Sequence, residues 1–151
     1  EKGEILEIGR GRVVQEGSDV AILSFGAHLG ESRKATKLLE AQGLSVTLAD
    51  ARFAKPLDRA LLHRLARTHR ALITIEQGAR GGFGAMVLHD LANDGLLDGR
   101  WQRRTMTVPD RYIDQASPDA MYADAGLTAV DMAATAMQAA GIEVKRAEVG
   151  V

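Results

Sequence analysis

The sequence contains no cysteine, which excludes disulfide bonds and thiolate metal sites. Tryptophan, tyrosine and phenylalanine together make up only 4% of the residues, so aliphatic side chains must fill the core. The net charge is only −1, which gives no electrostatic reason to expect binding to nucleic acid or to an anionic membrane. No apolar run approaches the roughly 20 residues needed to span a bilayer. We therefore expect a cytoplasmic protein with neither kind of partner.

The composition is that of an ordinary globular protein, with 46% hydrophobic and 26% charged residues. A length of 151 residues suits one domain, which we place at residues 1–151. The first residue is Glu1 rather than methionine, so we expect this domain to be a piece of a longer polypeptide.

Apolar runs alternate with helical segments at short spacing, which predicts an α/β fold. The expected architecture has three layers: a five-stranded, mostly parallel mixed sheet with helices on both faces. The strand core is predicted at residues 20–25, 46–49, 72–75 and 105–108. A hairpin is predicted from residues 5–8 and 12–15, and an edge strand from residues 142–144.

Helix boundaries are marked by capping and stop residues. Gly43 ends the first predicted helix, Asp58 is the N-cap of the second, and Gly95 ends the third. A short helix is predicted after Ser117, with proline at its first position. The last helix is predicted at residues 127–140.

Three acidic residues, Asp50, Glu76 and Asp110, lie at or just past strand ends, where open α/β sheets commonly bind ligands. One interpretation is a Mg²⁺ or substrate site. The favoured interpretation is that they cap turns or pair with neighbouring arginines, because carboxylates prefer such positions for local reasons.

Residues 76–84 form a glycine-rich loop, with four glycines in the seven positions from Gly78 to Gly84. Such a loop could present backbone N–H groups to a phosphate at a helix N-terminus. It matches neither the phosphate-loop pattern nor the dinucleotide-binding pattern. Tight packing between strand and helix is therefore the favoured interpretation.

The remaining candidates for chemistry are weak. No two of the four histidines are spaced for a helical metal pair, and we expect His63 and His69 on or near a helix surface. No serine lies in a nucleophile elbow. The basic residues Arg100, Arg103 and Arg104 are expected to form a solvated loop.

The last predicted helix carries one charge, Asp131, and is unusually apolar for a surface helix. Two explanations are equally open. The helix is either buried inside this domain or docks against another one.

Four segments of the chain have a distinctive sequence: residues 7–12 with 16–23, 49–58, 76–84 and 109–117. In this order they resemble the C-terminal domain of 1-deoxy-D-xylulose-5-phosphate synthases, which are transketolase-like thiamine diphosphate enzymes. The resemblance extends over most of the chain.

The resemblance implies a three-domain, homodimeric parent that condenses pyruvate with glyceraldehyde 3-phosphate and releases CO₂, toward isoprenoids and thiamine. In that family the N-terminal domain holds thiamine diphosphate and Mg²⁺, and the middle domain supplies the activating glutamate. No catalytic, cofactor-binding or metal residue of the family therefore maps onto this chain. The cofactor carries the chemistry, so this domain is expected to be inactive alone and to support packing and dimerisation.

The implied partners are the other two domains of the same enzyme and the second subunit. The candidate interface consists of Arg111, Tyr112, Asp114 and Gln115, a polar cluster on a loop between a strand and a helix. Two alternatives stay open: a free-standing α/β module that binds a ligand or partner, and the equivalent domain of another thiamine diphosphate enzyme.

Overall fold

The computed structural model describes residues 3, 5–99 and 102–142 of the chain. Its sheet has five strands: β1 (Arg12–Gln15), β2 (Val20–Ser24), β3 (Val46–Asp50), β4 (Ala71–Ala79) and β5 (Gln102–Val108). The five helices are α1 (Leu29–Ala41), α2 (Arg59–Thr68), α3 (Phe83–Asn93), α4 (Pro118–Asp124) and α5 (Ala129–Ala139). A short 3-10 helix, Gly26–His28, leads into α1.

The strand order is β1-β3-β2-β4-β5. Strand β1 pairs antiparallel with β3, and every other pairing is parallel. The four strands predicted for the strand core are confirmed, and β4 lies inside the sheet between β2 and β5. The predicted α/β fold with a mostly parallel mixed sheet is therefore correct.

Two hydrophobic clusters cover the two faces of the sheet, which confirms the three layers. One cluster joins the sheet to α1 and α5 and contains Ile22, Leu39, Ile73 and Met132. The other joins it to α2 and α3 and contains Leu23, Leu65, Leu72 and Phe83. Aliphatic residues dominate both, as the shortage of aromatic residues predicts.

The predicted hairpin is wrong. Residues 5–8 form no strand, and β1 pairs with β3 instead. The physical reason is the turn between them: the Gly11 N–H donates to Asp58 Oδ2 at 3.0 Å, which holds the turn against the loop between β3 and α2. Strand β1 then lies beside the open edge of β3. Most of the predicted edge strand, residues 143–144, lies outside the described residues.

The capping predictions hold. Asp58 accepts a hydrogen bond from the Leu61 N–H at 2.9 Å, and Ser117 accepts one from the Ala120 N–H at 3.3 Å. Gly43 and Gly95 have positive φ angles just past the ends of α1 and α3, as expected of helix-stop residues.

Candidate functional site at the carboxyl end of the sheet

Glu76 determines the geometry of the glycine-rich loop. Its side chain is buried, with 4% of its surface exposed, and lies beside the first residues of α3. The carboxylate accepts hydrogen bonds from the Phe83 N–H and the Gly84 N–H, both at 2.9 Å. Glu76 therefore caps the helix from within the preceding strand and places its negative charge at the positive end of the helix dipole.

The glycines of this loop make room for that carboxylate. A Cβ atom at Gly82 would lie 2.4 Å from Glu76 Oε2, and one at Gly78 would lie 2.7 Å from the same atom. At Gly84, a Cβ atom would lie 3.0 Å from side-chain atoms of Thr74 and Thr105. The favoured interpretation, close packing of strand and helix, is therefore correct.

The same geometry decides whether a cofactor diphosphate fits this loop. The two N–H groups that a phosphate would need already bind Glu76. A buried carboxylate at that position would also repel an anion. The residues of this loop therefore do not fit a diphosphate.

Of the other two acidic residues, Asp50 caps a turn and pairs with an arginine, as the favoured interpretation predicts, whereas Asp110 is exposed. Asp50 accepts a hydrogen bond from the Arg52 N–H at 3.1 Å and pairs with Arg12 Nε at 3.2 Å. Asp110 is exposed beyond the end of β5. Within the described part of the chain these residues do not form a metal-type cluster with Glu76.

The loop at residues 109–117 is tied to α4 by one ion pair. Arg111 Nη1 lies 2.8 Å from Asp124 Oδ2, and Arg111 Nη2 donates to the Asp124 carbonyl at 2.8 Å. This contact raises the pKa of Arg111 and lowers that of Asp124. The neighbouring Tyr112 side chain is fully exposed, at 101%.

A second link at this end of the sheet joins β4, α4 and the start of α1. Gln77 Nε2 donates to Tyr122 Oη at 2.6 Å, and the Tyr122 ring meets the His28 ring edge-on at a centroid distance of 4.7 Å. Gln77 and Tyr122 are 45 positions apart and no spacing pattern connects them, so this contact could not be predicted from the sequence.

His28 is buried, with 1% of its surface exposed, and neither ring nitrogen has a hydrogen bond of normal geometry. Burial is the main influence on its pKa and lowers it, while the Leu127 backbone and Glu31 act in the opposite direction. The neutral form of His28 is therefore favoured in the folded chain.

Burial within this domain accounts for the apolar last helix. The helix packs on α1, β4 and β5. Six of its residues are buried: Ala129, Met132, Ala133, Ala136, Met137 and Ala139. Its one charge is a cap: Asp131 Oδ2 accepts from the Thr128 N–H at 3.0 Å, and the Asp131 N–H donates to Thr128 Oγ1. The first of the two open explanations therefore holds for most of α5.

The histidines divide into two environments. His69 is buried, with 2% exposed, and contacts Thr47 Oγ1 at 2.8 Å and the Gly17 carbonyl at 3.1 Å. The prediction of a surface position is therefore wrong for His69, because the ring turns inward to polar groups of the strand ends. His63 is half-buried on α2 and faces Asp90 of α3 and Asp94, the residue just past the end of α3.

His63, Asp90 and Asp94 have the ligand types of a metal site, with their ligand atoms within 4.8 Å of one another. Arg59 occupies the same space: its Nε lies 3.0 Å from Asp90 Oδ1, and its terminal nitrogen pairs with Asp94 Oδ2. A cation would have to displace this guanidinium. The cluster is therefore a network of ion pairs that joins α2 to α3.

The predicted solvated basic loop is wrong for two of its three residues, because Arg103 and Arg104 belong to β5. Arg103 donates to the Ala66 carbonyl of α2, and partial burial lowers its pKa. Arg100 lies outside the described residues. No helix in the described ranges is long and apolar enough to cross a membrane.

Comparison with known proteins assigns this α/β domain to a family. The transketolase C-terminal domain family matches residues 9–132, and the chain belongs to that family. Among curated proteins, 1-deoxy-D-xylulose-5-phosphate synthase 2 of Jannaschia sp. (strain CCS1) is 64% identical over 144 residues, which cover 95% of this chain and 23% of that protein. The 1-deoxy-D-xylulose-5-phosphate synthase of Rhodobacter capsulatus is 62% identical, over 93% of this chain and 22% of that protein.

Solved structures agree with the fold. A structure described as a split-gene transketolase, inactive beta4 tetramer, superposes with a TM-score of 0.81 at 32% identity, covering 92% of this chain and 45% of that one. A transketolase mutant from Pichia stipitis superposes with a TM-score of 0.61 at 14% identity, covering 87% of this chain and 18% of that one, and supports the fold alone. The chain therefore spans about a quarter or less of the length of its curated relatives.

Proposed function

We propose that this chain is the C-terminal domain of a 1-deoxy-D-xylulose-5-phosphate synthase. One observation carries the proposal: identity of 62–64% to two proteins of that name over nearly the whole chain. The parent enzyme is then a thiamine diphosphate-dependent transferase that condenses pyruvate with glyceraldehyde 3-phosphate, releases CO₂ and serves isoprenoid and thiamine biosynthesis. It acts in the cytoplasm as a Mg²⁺-dependent homodimer.

Within that enzyme this domain binds no cofactor and supports packing and dimerisation. In support, Glu76 already binds the Phe83 and Gly84 N–H groups, the donors of the glycine-rich loop that a phosphate would need. The chemistry that thiamine diphosphate supplies, stabilisation of a carbanion, then belongs to the other two domains. Calorimetry of this chain with thiamine diphosphate and Mg²⁺ should give no binding heat, and micromolar binding would contradict the assignment.

The loop that carries Arg111, Tyr112, Asp114 and Gln115 is the contact to a neighbouring domain or to the second subunit. The support is the full exposure of Tyr112 on a loop that the Arg111–Asp124 ion pair holds in place. Aromatic side chains of this kind are common at the centres of interfaces.

The activity is tested on the full-length protein that the gene encodes. That protein should form 1-deoxyxylulose 5-phosphate from pyruvate and glyceraldehyde 3-phosphate, with release of CO₂, when thiamine diphosphate and Mg²⁺ are present. A gene that encodes no more than this domain would favour the free-standing module instead. A full-length protein that transfers two-carbon ketol units but does not use pyruvate would favour another thiamine diphosphate enzyme.

The contact is tested with Tyr112→Ala in the full-length protein, which should weaken dimerisation or turnover by about tenfold, the change that about 1.4 kcal/mol produces. The matched control is Leu97→Ala, which shortens an exposed apolar side chain between α3 and β5. Sedimentation velocity and steady-state rates are the measurements. Unchanged association and unchanged turnover in Tyr112→Ala would remove this loop from the interface.

A further inference from the structure

Residues 5–8 expose an unusual amount of apolar surface. Ile5 is 97% exposed, Leu6 43% and Ile8 75%. Single exposed apolar side chains are normal on a protein surface, but three within four positions form a patch. Since these residues form no strand and contribute to neither hydrophobic cluster of the described chain, nothing in the fold of this domain accounts for their composition.

The end of this segment is nonetheless held firmly. Gly9, at a φ of +76°, lies so close to Pro56 that a Cβ atom there would be 2.7 Å from Pro56 Cγ. The Gly11 N–H donates to Asp58 Oδ2 at 3.0 Å. Both glycines are needed for this close approach, and together they fix where the segment leaves the domain.

An apolar cavity lies next to that point. It has a volume of about 450 Å³, and its lining is mostly apolar, from Ala54, Pro56, Leu57, Ala85 and Met86. The polar part of the lining consists of Lys55, Arg59, His89 and Asp90. Pro56 contacts the turn at Gly9 and also lines the cavity. The exposed segment and the cavity are therefore neighbours that share this proline.

We propose that residues 5–8 and this cavity form one docking surface, the segment-cavity surface, for the part of the parent polypeptide that precedes Glu1. This inference rests on the proposed function. The curated relatives are more than four times as long as the stretch they share with this chain. Because the matching family is a C-terminal domain, that extra length lies on the N-terminal side and enters through residues 5–8.

The covalent connection between the two parts of the polypeptide explains why a docking surface of this size is large enough to hold them together. A domain joined directly to the segment is present at a very high effective concentration, so a small apolar contact suffices to hold it. The preceding domain would receive Ile5 and Ile8 in an apolar recess and place an apolar side chain in the cavity. A second copy of the chain has no such advantage, since its concentration is that of the solution.

The test uses hydrogen exchange on the full-length protein, followed on peptides that cover residues 54–57 and 85–89. The double variant Ile5→Ser, Ile8→Ser should speed exchange of both peptides by on the order of tenfold, which corresponds to about 1.4 kcal/mol of docking free energy. Met86→Ser, on the cavity side, should speed exchange of residues 5–8 to a similar degree. Leu97→Ser, an exposed apolar residue outside the segment-cavity surface, should change neither.

Several results would overturn the inference. The first is that the cavity peptides exchange at the same rate in the wild type and the double variant, and that Met86→Ser leaves the exchange of residues 5–8 unchanged. This result would show that the two regions are not docked. Protection that disappears on dilution would assign the surface to a second copy. The proposed function fails separately, through a wild-type full-length protein without synthase activity, so the two failures are distinguishable.

Discussion

Replacement of Glu76 by alanine tests the arrangement at the start of α3. The carboxylate is 4% exposed and accepts the Phe83 and Gly84 N–H groups at 2.9 Å. Alanine would leave both donors without an acceptor and remove the negative charge from the positive end of the helix dipole. A variant with glutamine keeps the size of the side chain and one acceptor oxygen, so it should lose less.

The magnitude follows from these contacts. A hydrogen bond to a charged acceptor contributes about 1.5–3 kcal/mol, and a charge at a helix N-terminus about 0.3–1 kcal/mol. Two such bonds and the dipole interaction sum to about 3–7 kcal/mol. Because water can enter the vacated space and satisfy part of the two donors, we expect a loss of about 3–4 kcal/mol in the free energy of unfolding.

Urea unfolding followed by circular dichroism measures this loss. With a slope of about 2 kcal/mol per molar urea, the midpoint should fall by roughly 1.5–2 M, and the melting temperature by about 10 °C. The control is Glu16→Ala, which removes an exposed pair with Arg64 and should change stability by no more than about 0.5 kcal/mol. A Glu76→Ala variant as stable as this control would refute the capping role.

Two further predictions concern His28 and Asp58. Burial lowers the pKa of His28 below its usual value of 6.5, so the unfolded chain binds a proton more readily as the pH falls through 6.5, and the free energy of unfolding falls with it. Between pH 7.5 and 5.5, the wild type should therefore lose more stability than His28→Gln, by up to about 1.4 kcal/mol per pH unit. Urea titrations at each pH measure the free energy of unfolding, and an equal dependence on pH in the two proteins would contradict this prediction. Asp58→Ala removes acceptors for the Gly11 and Leu61 N–H groups and should cost about 1–3 kcal/mol by thermal unfolding; a change below about 0.5 kcal/mol would show that neither contact matters.

The local features of this protein could be read from its sequence. Asp58 and Ser117 cap helices, and Gly43 and Gly95 end them, because each acts on backbone groups within a few positions of itself. The buried strands could also be predicted locally, because a short and nearly continuous apolar run is typical of a strand that is buried on both faces. The fold class then follows from the order of these elements.

Contacts between distant segments were decided only by the tertiary structure. Strand β1 pairs with β3 because the turn at Gly11 is held by Asp58, 47 positions away, and residues 5–8 are left without a strand partner. Glu76, identified as an acidic residue at a strand end, became a helix cap only through the close approach of Gly82. His28 and His69 are buried because strand ends and helices from several parts of the chain converge on them. A short sequence window contains the local energies, but it does not contain the neighbours that fill the space around each side chain.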